Sequence, residues 1–385
     1  MKSSVAYLMA GIPEKNSAFY HAIRFSVGDP AAVVTLNGKG QPQSLLILRD
    51  IEMERARKYA RVDQVYCPAD FAPEGGLSGD RETATAQATA ECLKRHGVKA
   101  VVADRTLPLI FADLIRSSGI EVQCDLERGV IDRRAKDQQE VEHLRKSQAV
   151  TESAIEMACR LIGRAKPNAD GILMHDGAPL TSERLRFEID VHLLKHGFAN
   201  PPSIVAGGKQ GADCHEHGHG ELLTGEPIIV DIFPQNRATR YYGDCTRTVV
   251  NGPVSETLAK MHAAVVAAKA AGMKATKAGV TGESVHREVI AVIQQHGFTT
   301  GLPKPTDPDD YCSMVHGTGH GIGLEVHEPP LLDFNGPELV IGDAITIEPG
   351  LYSKALGGIR VEDLVIVTAD GCESLNRLPE GLSWT

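Results

Sequence analysis

Over the first third of the chain, short apolar runs alternate with stretches whose apolar residues recur at helical spacing. Ala31 to Leu36 (AAVVTL) and Ser44 to Arg49 (SLLILR) read as paired strands across a turn at Asn37-Gly38, and Lys99 to Asp104 (KAVVAD) reads as a buried strand. Asp80 to His96 and Pro108 to Ser117 read as helices. Each is followed by a glycine, Gly97 or Gly119, where a helix C-terminus favours a left-handed residue. Residues 1–132 are therefore expected to form a smaller α/β domain. It contains no cluster of His, Cys or acids at ligand spacing, so its expected work is to shape a cleft or to form a homodimer.

A charged connector, ERGVIDRRAKD, then meets Asp137-Gln138-Gln139-Glu140, a capping-box pattern that predicts the start of a long helix. Ala154, Ile155, Ala158, Leu161 and Ile162 give that helix a buried face, and Pro167 requires it to end before Lys166. The second domain is expected over 137–385, and inside it the pattern repeats. Thr181-Ser182-Glu183 leads a helix with Leu185, Ile189 and Leu193 on one face and closes at His196-Gly197-Phe198. Thr281-Gly282-Glu283 leads another with Val285, Val289 and Val292 and closes at His296-Gly297-Phe298. Each copy follows a long helix, the second beginning near Ser255, and precedes a short strand at Ser203-Ile204-Val205 or Ser313-Met314-Val315. Each half then offers two acid-bearing strands, with Asp231 and Asp244 in the first and Glu348 and Glu362 in the second. Two such halves meeting at a pseudo-twofold axis bring four carboxylates to one centre.

At 385 residues the chain exceeds what one core normally serves, in keeping with two domains. Lys and Arg number 40 against 50 Asp and Glu, without a run of like charge, which argues against nucleic acid or an anionic membrane surface as partner. The eight cysteines include no CxxC and no close pair, the pattern of free thiols in a reducing compartment. The apolar run from Val5 to Gly11 is too short for a signal peptide or a membrane span, so a cytoplasmic protein is expected.

The densest chemistry lies in HGTGHGIGLEVHEPP, His316 to Pro330, where His316, His320 and His327 are interleaved with Gly317, Gly319, Gly321 and Gly323. Glycines there let backbone and imidazoles approach an ion or substrate closely. Four carboxylates with one imidazole make a poor structural zinc site and suit two hard or borderline divalent ions, Mn2+ first, with Co2+ or Zn2+ as alternatives. Without a cation four converging carboxylates repel one another and take up protons. Two ions about 3.5 to 4 Å apart can hold a bridging hydroxide at neutral pH and polarise a carbonyl, which points to hydrolysis.

The order Asp231, Asp244, His320, Glu348, Glu362, with the strings GDCTRT, HGTGHGIG and IEPGLY, resembles the ligand set of the pita-bread metallopeptidases: methionine aminopeptidase, aminopeptidase P and prolidase. The resemblance covers about Asp137 to Val367 strongly. It covers the N-terminal part more weakly, as the accessory domain of aminopeptidase P, prolidase and creatinase. It implies an α+β, pita-bread catalytic domain with a pseudo-twofold repeat, and a peptide substrate cut at Xaa-Pro as an aminopeptidase or a dipeptidase. It further implies that Asp231 chelates one ion, that His320 and Glu348 hold the other, and that Asp244 and Glu362 bridge both. Glu348 is the expected acceptor of the water proton. His215, His316 and His327 are similar to family histidines on the substrate side, with His327 carried from the metal by a strand over Ile322 to Val326. Arg360 resembles an arginine behind the ligands in the proline-specific branch. The alternatives are a metal-free, creatinase-like amidine hydrolase and a binding module with a dead site, both of which usually depart from the ligand set. The chain does depart from the family at Ile232-Phe233-Pro234, where a glycine is common, and in the slightly long segment up to Asp244. His217 and His219, beside His215, stay open between ligand, substrate contact and loop residue.

Overall fold

The structure is a computed structural model and describes residues 5–37 and 41–385. The chain separates into two compact units, Met1–Arg133 and Arg134–Thr385. In the first, β1 (Val5–Gly11), β2 (Ala31–Leu36), β3 (Gln43–Ile47), β4 (Gln64–Tyr66), β5 (Ala100–Asp104) and β6 (Glu121–Asp125) form one sheet in the order β4-β3-β2-β1-β5-β6. The apolar run at Val5 is thus an inner strand, antiparallel to β2 and parallel to β5. Alternation along the strands feeds two cores. Leu8, Ala10 and Val34 pack with Ala86 and Leu93 of the Arg81–Arg95 helix and with Phe111 and Ile115 of the Leu109–Ser117 helix. Met9, Val33 and Leu46 pack on the other side with Phe19 and Ala56 of the Ser17–Ile23 and Met53–Tyr59 helices. A sheet with both faces covered by helices is the stable answer to strands that are apolar on both sides. Strands β2 and β3 pair antiparallel as their pattern requires, and the turn beyond Asn37 lies outside the described residues.

The second unit opens with the capping box. Glu140 N–H donates to Asp137 Oδ1 at 2.8 Å and Asp137 N–H to Glu140 Oε2 at 2.9 Å, which starts a helix running Gln138–Arg164. Its Ala154, Ile155, Ala158 and Ile162 are fully buried against Leu185, Ile189 and Leu193 of the Ser182–Lys195 helix. Burying each of the Ile and Leu side chains contributes roughly 1.5 to 3 kcal/mol, so this seam anchors the first half.

The repeat expected from sequence is visible in small contacts. Thr181 and Thr281 cap the Ser182–Lys195 and Gly282–Gln295 helices, their side chains accepting from Arg184 N–H and Ser284 N–H. Glu183 accepts from Gly220 N–H, and Glu283 from Asn335 N–H. Thr181 bridges to Glu221, and Thr281 to Glu338. Gly197 and Gly297 end the helices at φ 82° and 84°, where a Cβ would be strained. One detail differs from expectation: Ile293 takes the third buried position, with Val285 and Val289, and Val292 is only partly buried. The spacing then matches that of Leu185, Ile189 and Leu193, so the halves agree more closely than their sequences suggest.

The strands of the first half form an antiparallel sheet of Ile204–Gly207, Pro227–Ile232 and Cys245–Val250. In the second half, Glu328–Leu332, Gly319–Gly321, Ala344–Ile347, Asp363–Val367 and Cys372–Ser374 lie side by side in that order. Gly350–Ser353 and Gly357–Arg360 pair in a further sheet. The acids occupy these strands or the breaks between them. Among the described residues no helix is long and apolar enough to cross a membrane.

Candidate active site

Asp231 sits in the middle strand of the first-half sheet, paired across it with Ile204 and Thr246. Asp244 lies just before the Cys245–Val250 strand, where Gln148 of the long helix grips its backbone on both sides. Asp244 N–H donates to Gln148 Oε1 at 2.9 Å, and Gln148 Nε2 donates to Asp244 O at 2.7 Å. Glu362 falls between the Gly357–Arg360 and Asp363–Val367 strands, and its Oε2 accepts from Thr246 Oγ1 at 2.7 Å. Glu348 follows the Ala344–Ile347 strand, its N–H bonded to Thr318 O and its Oε1 accepting from Thr346 Oγ1 at 3.1 Å.

His320 is presented from the Gly319–Gly321 strand, its N–H bonded to Thr346 Oγ1 at 3.0 Å. A Cβ on Gly319 would lie 2.0 Å from Thr346 O, and one on Gly321 2.5 Å from Pro329 O, so only glycine lets these strands close around the histidine. The His320 Nδ1 contact is a carbonyl, Gly321 O at 3.1 Å, which can only accept. The proton is thereby assigned to Nδ1, and Nε2 is left as the ligand atom. Nε2 lies 3.3 Å from Glu348 Oε1 and 3.8 Å from Asp244 Oδ2. Asp244, His320 and Glu362 offer ligand atoms that all lie within 4.8 Å of one another.

The electrostatics of this cluster call for a counter-charge. Burial, and then the charges of Glu362 and Asp231, hold Asp244 well above the ordinary carboxylate range. Burial with Glu348 and Asp231 does the same to Glu362. Burial also raises Glu348, although His316 and Arg360 pull the other way. Asp231 Oδ1 is buried with no hydrogen-bond partner among the described residues, a costly state for a carboxylate oxygen. All four features fit residues built to hold divalent cations, with oxygen donors and one imidazole.

Arg360, 3 % exposed, forks behind the cluster. Its Nη2 donates to Asp231 Oδ2 at 2.6 Å, and its Nη1 to the Tyr352 hydroxyl at 2.9 Å and to Cys214 O at 3.2 Å. Tyr352 passes the chain on to His316 Nε2 at 2.7 Å, while His316 Nδ1 meets Gly317 O at 2.7 Å. Burial holds His316 below the usual imidazole range, hence neutral. Its Nδ1–H is then spent on the carbonyl and its Nε2 accepts from tyrosine, so His316 has no N–H to offer a substrate. His316, Tyr352 and Arg360 thus form one hydrogen-bonded chain behind Asp231.

His327 differs. Burial and the neighbouring His320 hold it below the usual range, and neither ring nitrogen has a protein partner among the described residues. Its ring meets that of His320 edge to face, 4.3 Å between centroids. The route to it is not the strand expected over Ile322 to Val326. The chain bends there instead, because Glu328 Oε1 accepts from Leu324 N–H at 3.0 Å and from Glu325 N–H at 3.1 Å. Lys136 Nζ, 3.2 Å from Glu328 Oε2 and buried with it, fixes that carboxylate in turn.

The four acids, His316, His320, His327 and Arg360 line a cavity of about 620 Å³, large enough for a short peptide, together with apolar Ile204, Phe233 and Leu331. His215 and His217 line it too. His219 does not: it is exposed on the same loop, its backbone bonded to Gln210. Sequence reasoning missed Tyr352, Gln148 and Glu328. Tyr352 stands inside the string IEPGLY, four residues after a ligand candidate, which was its available signal. Glu328 likewise stands inside HGTGHGIGLEVHEPP, directly after His327, while Gln148 carried none.

A buried ion network lies beneath the ligands. Arg247 donates to Glu362 O at 2.6 Å, to Asp363 Oδ1 at 2.8 Å and to Pro379 O at 2.9 Å. Lys269 joins Asp363 to Glu380, with its contact to the latter at 2.6 Å. Two cations meet two carboxylates, so the charge is balanced and the peptide beside Glu362 is held from below.

Residues 142–369 match metallopeptidase family M24. The chain is 38 % identical over 182 residues to the probable dipeptidase PepE of Mycobacterium tuberculosis, an alignment covering 46 % of this chain and 45 % of that protein. The match thus spans less than half of that relative's length. In structure it is similar to the prolidase from Pyrococcus horikoshii, with TM-score 0.76, 21 % identity, and 99 % and 96 % of the two chains covered. It is also similar to the X-Pro aminopeptidase from Thermotoga maritima, with TM-score 0.77, 21 % identity, and coverage of 98 % and 97 %. At these identities the likeness establishes the fold, a mixed α/β chain with the pita-bread arrangement.

Proposed function

Because the chain belongs to metallopeptidase family M24, we propose that it is a metal-dependent exopeptidase hydrolysing peptide bonds at Xaa-Pro, as an Xaa-Pro aminopeptidase or dipeptidase. The observation that carries this reading is the convergence of Asp244, His320 and Glu362, with Asp231 and Glu348 against the same cluster, on the wall of a peptide-sized cavity.

In this proposal Asp231 would hold one divalent ion, His320 and Glu348 the other, and Asp244 and Glu362 both, with Mn2+ the first candidate and Co2+ or Zn2+ the alternatives. When bound, the ions supply Lewis acidity toward the scissile carbonyl and lower the pKa of a coordinated water. Glu348 takes the water proton and returns it to the leaving amine. Its low-dielectric surroundings make it a better base than an exposed glutamate. His327, neutral and with free ring nitrogens, donates to the developing oxyanion. Arg360, locked by Tyr352 and His316, keeps Asp231 aimed at the cluster. His215 approaches the substrate from the opposite loop. Homodimer formation and a cytoplasmic setting belong to the same proposal; all eight cysteines are free thiols, as a reducing compartment allows.

The intact set of five ligands argues against the metal-free amidine hydrolase and the inactive binding module. The deciding assay offers Mn2+-loaded protein an Xaa-Pro dipeptide, an Xaa-Pro-Xaa tripeptide and a Met-Ala-Xaa peptide side by side. Cleavage of the dipeptide alone identifies a dipeptidase, and cleavage of the tripeptide identifies an aminopeptidase. Turnover of the Met-Ala peptide alone, or of none, defeats the Xaa-Pro reading.

A further inference from the structure

The cavity contains a carboxylate for which the metal cluster has no use. Asp333 lies two residues beyond Leu331, the residue that pairs with His320 across the ladder. Leu331 and Asp333 both line the cavity while Leu332 between them is fully buried, so the two share a face. Asp333 stands at the bend that follows the Glu328–Leu332 strand, so its step from Leu331 is at most the roughly 6 to 7 Å of same-face neighbours on an extended chain, up to about two residues of an extended peptide along the cleft. The step runs toward Gly317: a Cβ there would come within 3.1 Å of Asp333 Oδ2, so glycine keeps that oxygen open to the cavity.

Asp333 is held in place from behind. Its Oδ1 accepts from Phe334 N–H at 2.7 Å and lies 3.4 Å from His286 Nε2. His286 is buried, with Nδ1 2.9 Å from Thr318 Oγ1 and its ring edge to face with Phe334. Arg287, whose guanidinium lies over the Phe334 ring, is paired with Glu283 at 2.6 Å. Among the described residues lining the cavity the one Arg or Lys is Arg360, buried and committed to Asp231, Tyr352 and Cys214. The cleft therefore presents an oriented, half-exposed anion to the substrate and no free lysine or arginine.

We propose that Asp333 is a specificity residue, selecting peptides that place an ammonium or guanidinium group up to about two residues along the cleft from the position facing His320. The group can be a Lys or Arg side chain or the peptide's own α-ammonium. The inference rests on the exopeptidase reading above.

The test compares kcat/KM of the Mn2+-loaded full chain on Lys-Pro-Ala against norleucine-Pro-Ala, on Ala-Pro-Lys against Ala-Pro-norleucine, and on Ala-Pro-Ala against its N-acetylated form. Norleucine matches lysine in shape without its charge. If a side chain is the partner, Lys exceeds norleucine by about tenfold at one position, an ordinary return for one close charge pair in a partly hydrated cleft. That ratio falls to within about twofold in Asp333→Asn, whose carboxamide oxygen can still accept from Phe334 and His286. If the α-ammonium is the partner, both Lys ratios stay near one, and the free-to-acetylated ratio shrinks by about tenfold in the variant. The same ratios in wild type and variant overturn the proposal, as does the absence of any preference in the wild type, which needs no variant to fold. If none of the peptides is cleaved, the exopeptidase reading has failed. The same ratios are then read as calorimetric affinities for peptides with a ketomethylene in place of the scissile amide, so the role of Asp333 is judged separately.

Discussion

His320 and His327 face each other with 4.3 Å between ring centres, yet their surroundings assign them different tasks. His320 spends its Nδ1 proton on Gly321 O and turns Nε2 to the carboxylates, the posture of a ligand, while His327 lines the cavity and is proposed to meet the substrate. His327→Ala should retain its metal and its fold and lose kcat by about a hundredfold to a thousandfold, the usual effect of deleting one oxyanion donor. His320→Ala should lose an ion. Metal content and kcat measured on the same samples separate the two: metal loss in the His327 variant, or near-normal turnover with metal in place, removes the donor role. The ligand candidates were legible in the sequence because acids and histidines beside glycines and strand breaks are unusual company. Tyr352 was not, since a lone tyrosine in a strand looks like any core aromatic, and its work appears only once Arg360 and His316 are seen on its hydroxyl.

At the scale of elements, the capping box at Asp137 and the threonine caps at Thr181 and Thr281 fixed three helices because local hydrogen bonds decide where helices begin. The strand expected over Ile322 to Val326 failed for the opposite reason. Its apolar residues suit a strand, but Glu328, brought in by Lys136 from far along the chain, gathers the Leu324 and Glu325 amides into a bend. Tertiary contact overrode local pattern, and no window on the sequence contains both partners. The long helix supports the site in a similarly hidden way. Gln148→Ala leaves the Asp244 N–H and C=O without partners and opens a void, a loss of roughly 2 to 4 kcal/mol by the usual costs of unmet buried groups and lost packing. Metal affinity should fall by about tenfold to a hundredfold, as when groups behind a ligand are lost. Thermal unfolding of metal-free protein and a metal titration measure the two effects, and a destabilised variant with unchanged affinity would confine Gln148 to packing.

For the second unit as a whole, protons would compete with the proposed metal ions for the same oxygens. Asp244, Glu348 and Glu362 are raised above their unfolded values, so the metal-free folded chain binds more protons than the unfolded one. Their contribution to stability is complete below the unfolded carboxylate range, about pH 4, and is lost as pH rises through the raised values. His316 and His320, lowered by burial, act in the opposite sense, losing stability as pH falls below about 6.5. The carboxylates should therefore lower the melting temperature of metal-free protein as pH rises from about 4 through their raised values, and the gain from added Mn2+ should widen over the same interval. Parallel slopes with and without metal would show that these carboxylates are not where the ions bind.

The ion network under Glu362 also sets an order in time. Arg247 and Lys269 reach forward to Asp363, Pro379 and Glu380, so the support of a ligand in the second half includes chain well beyond it. On a ribosome, Asp231 and Asp244 emerge long before Glu380. At that stage Asp244 can have Gln148 on its backbone, but neither acid has its second-half neighbours. In the proposed site, discrimination among metals would wait until the latest-made support has folded back beneath it, and the choice of ion would be left to the pool that the finished protein encounters.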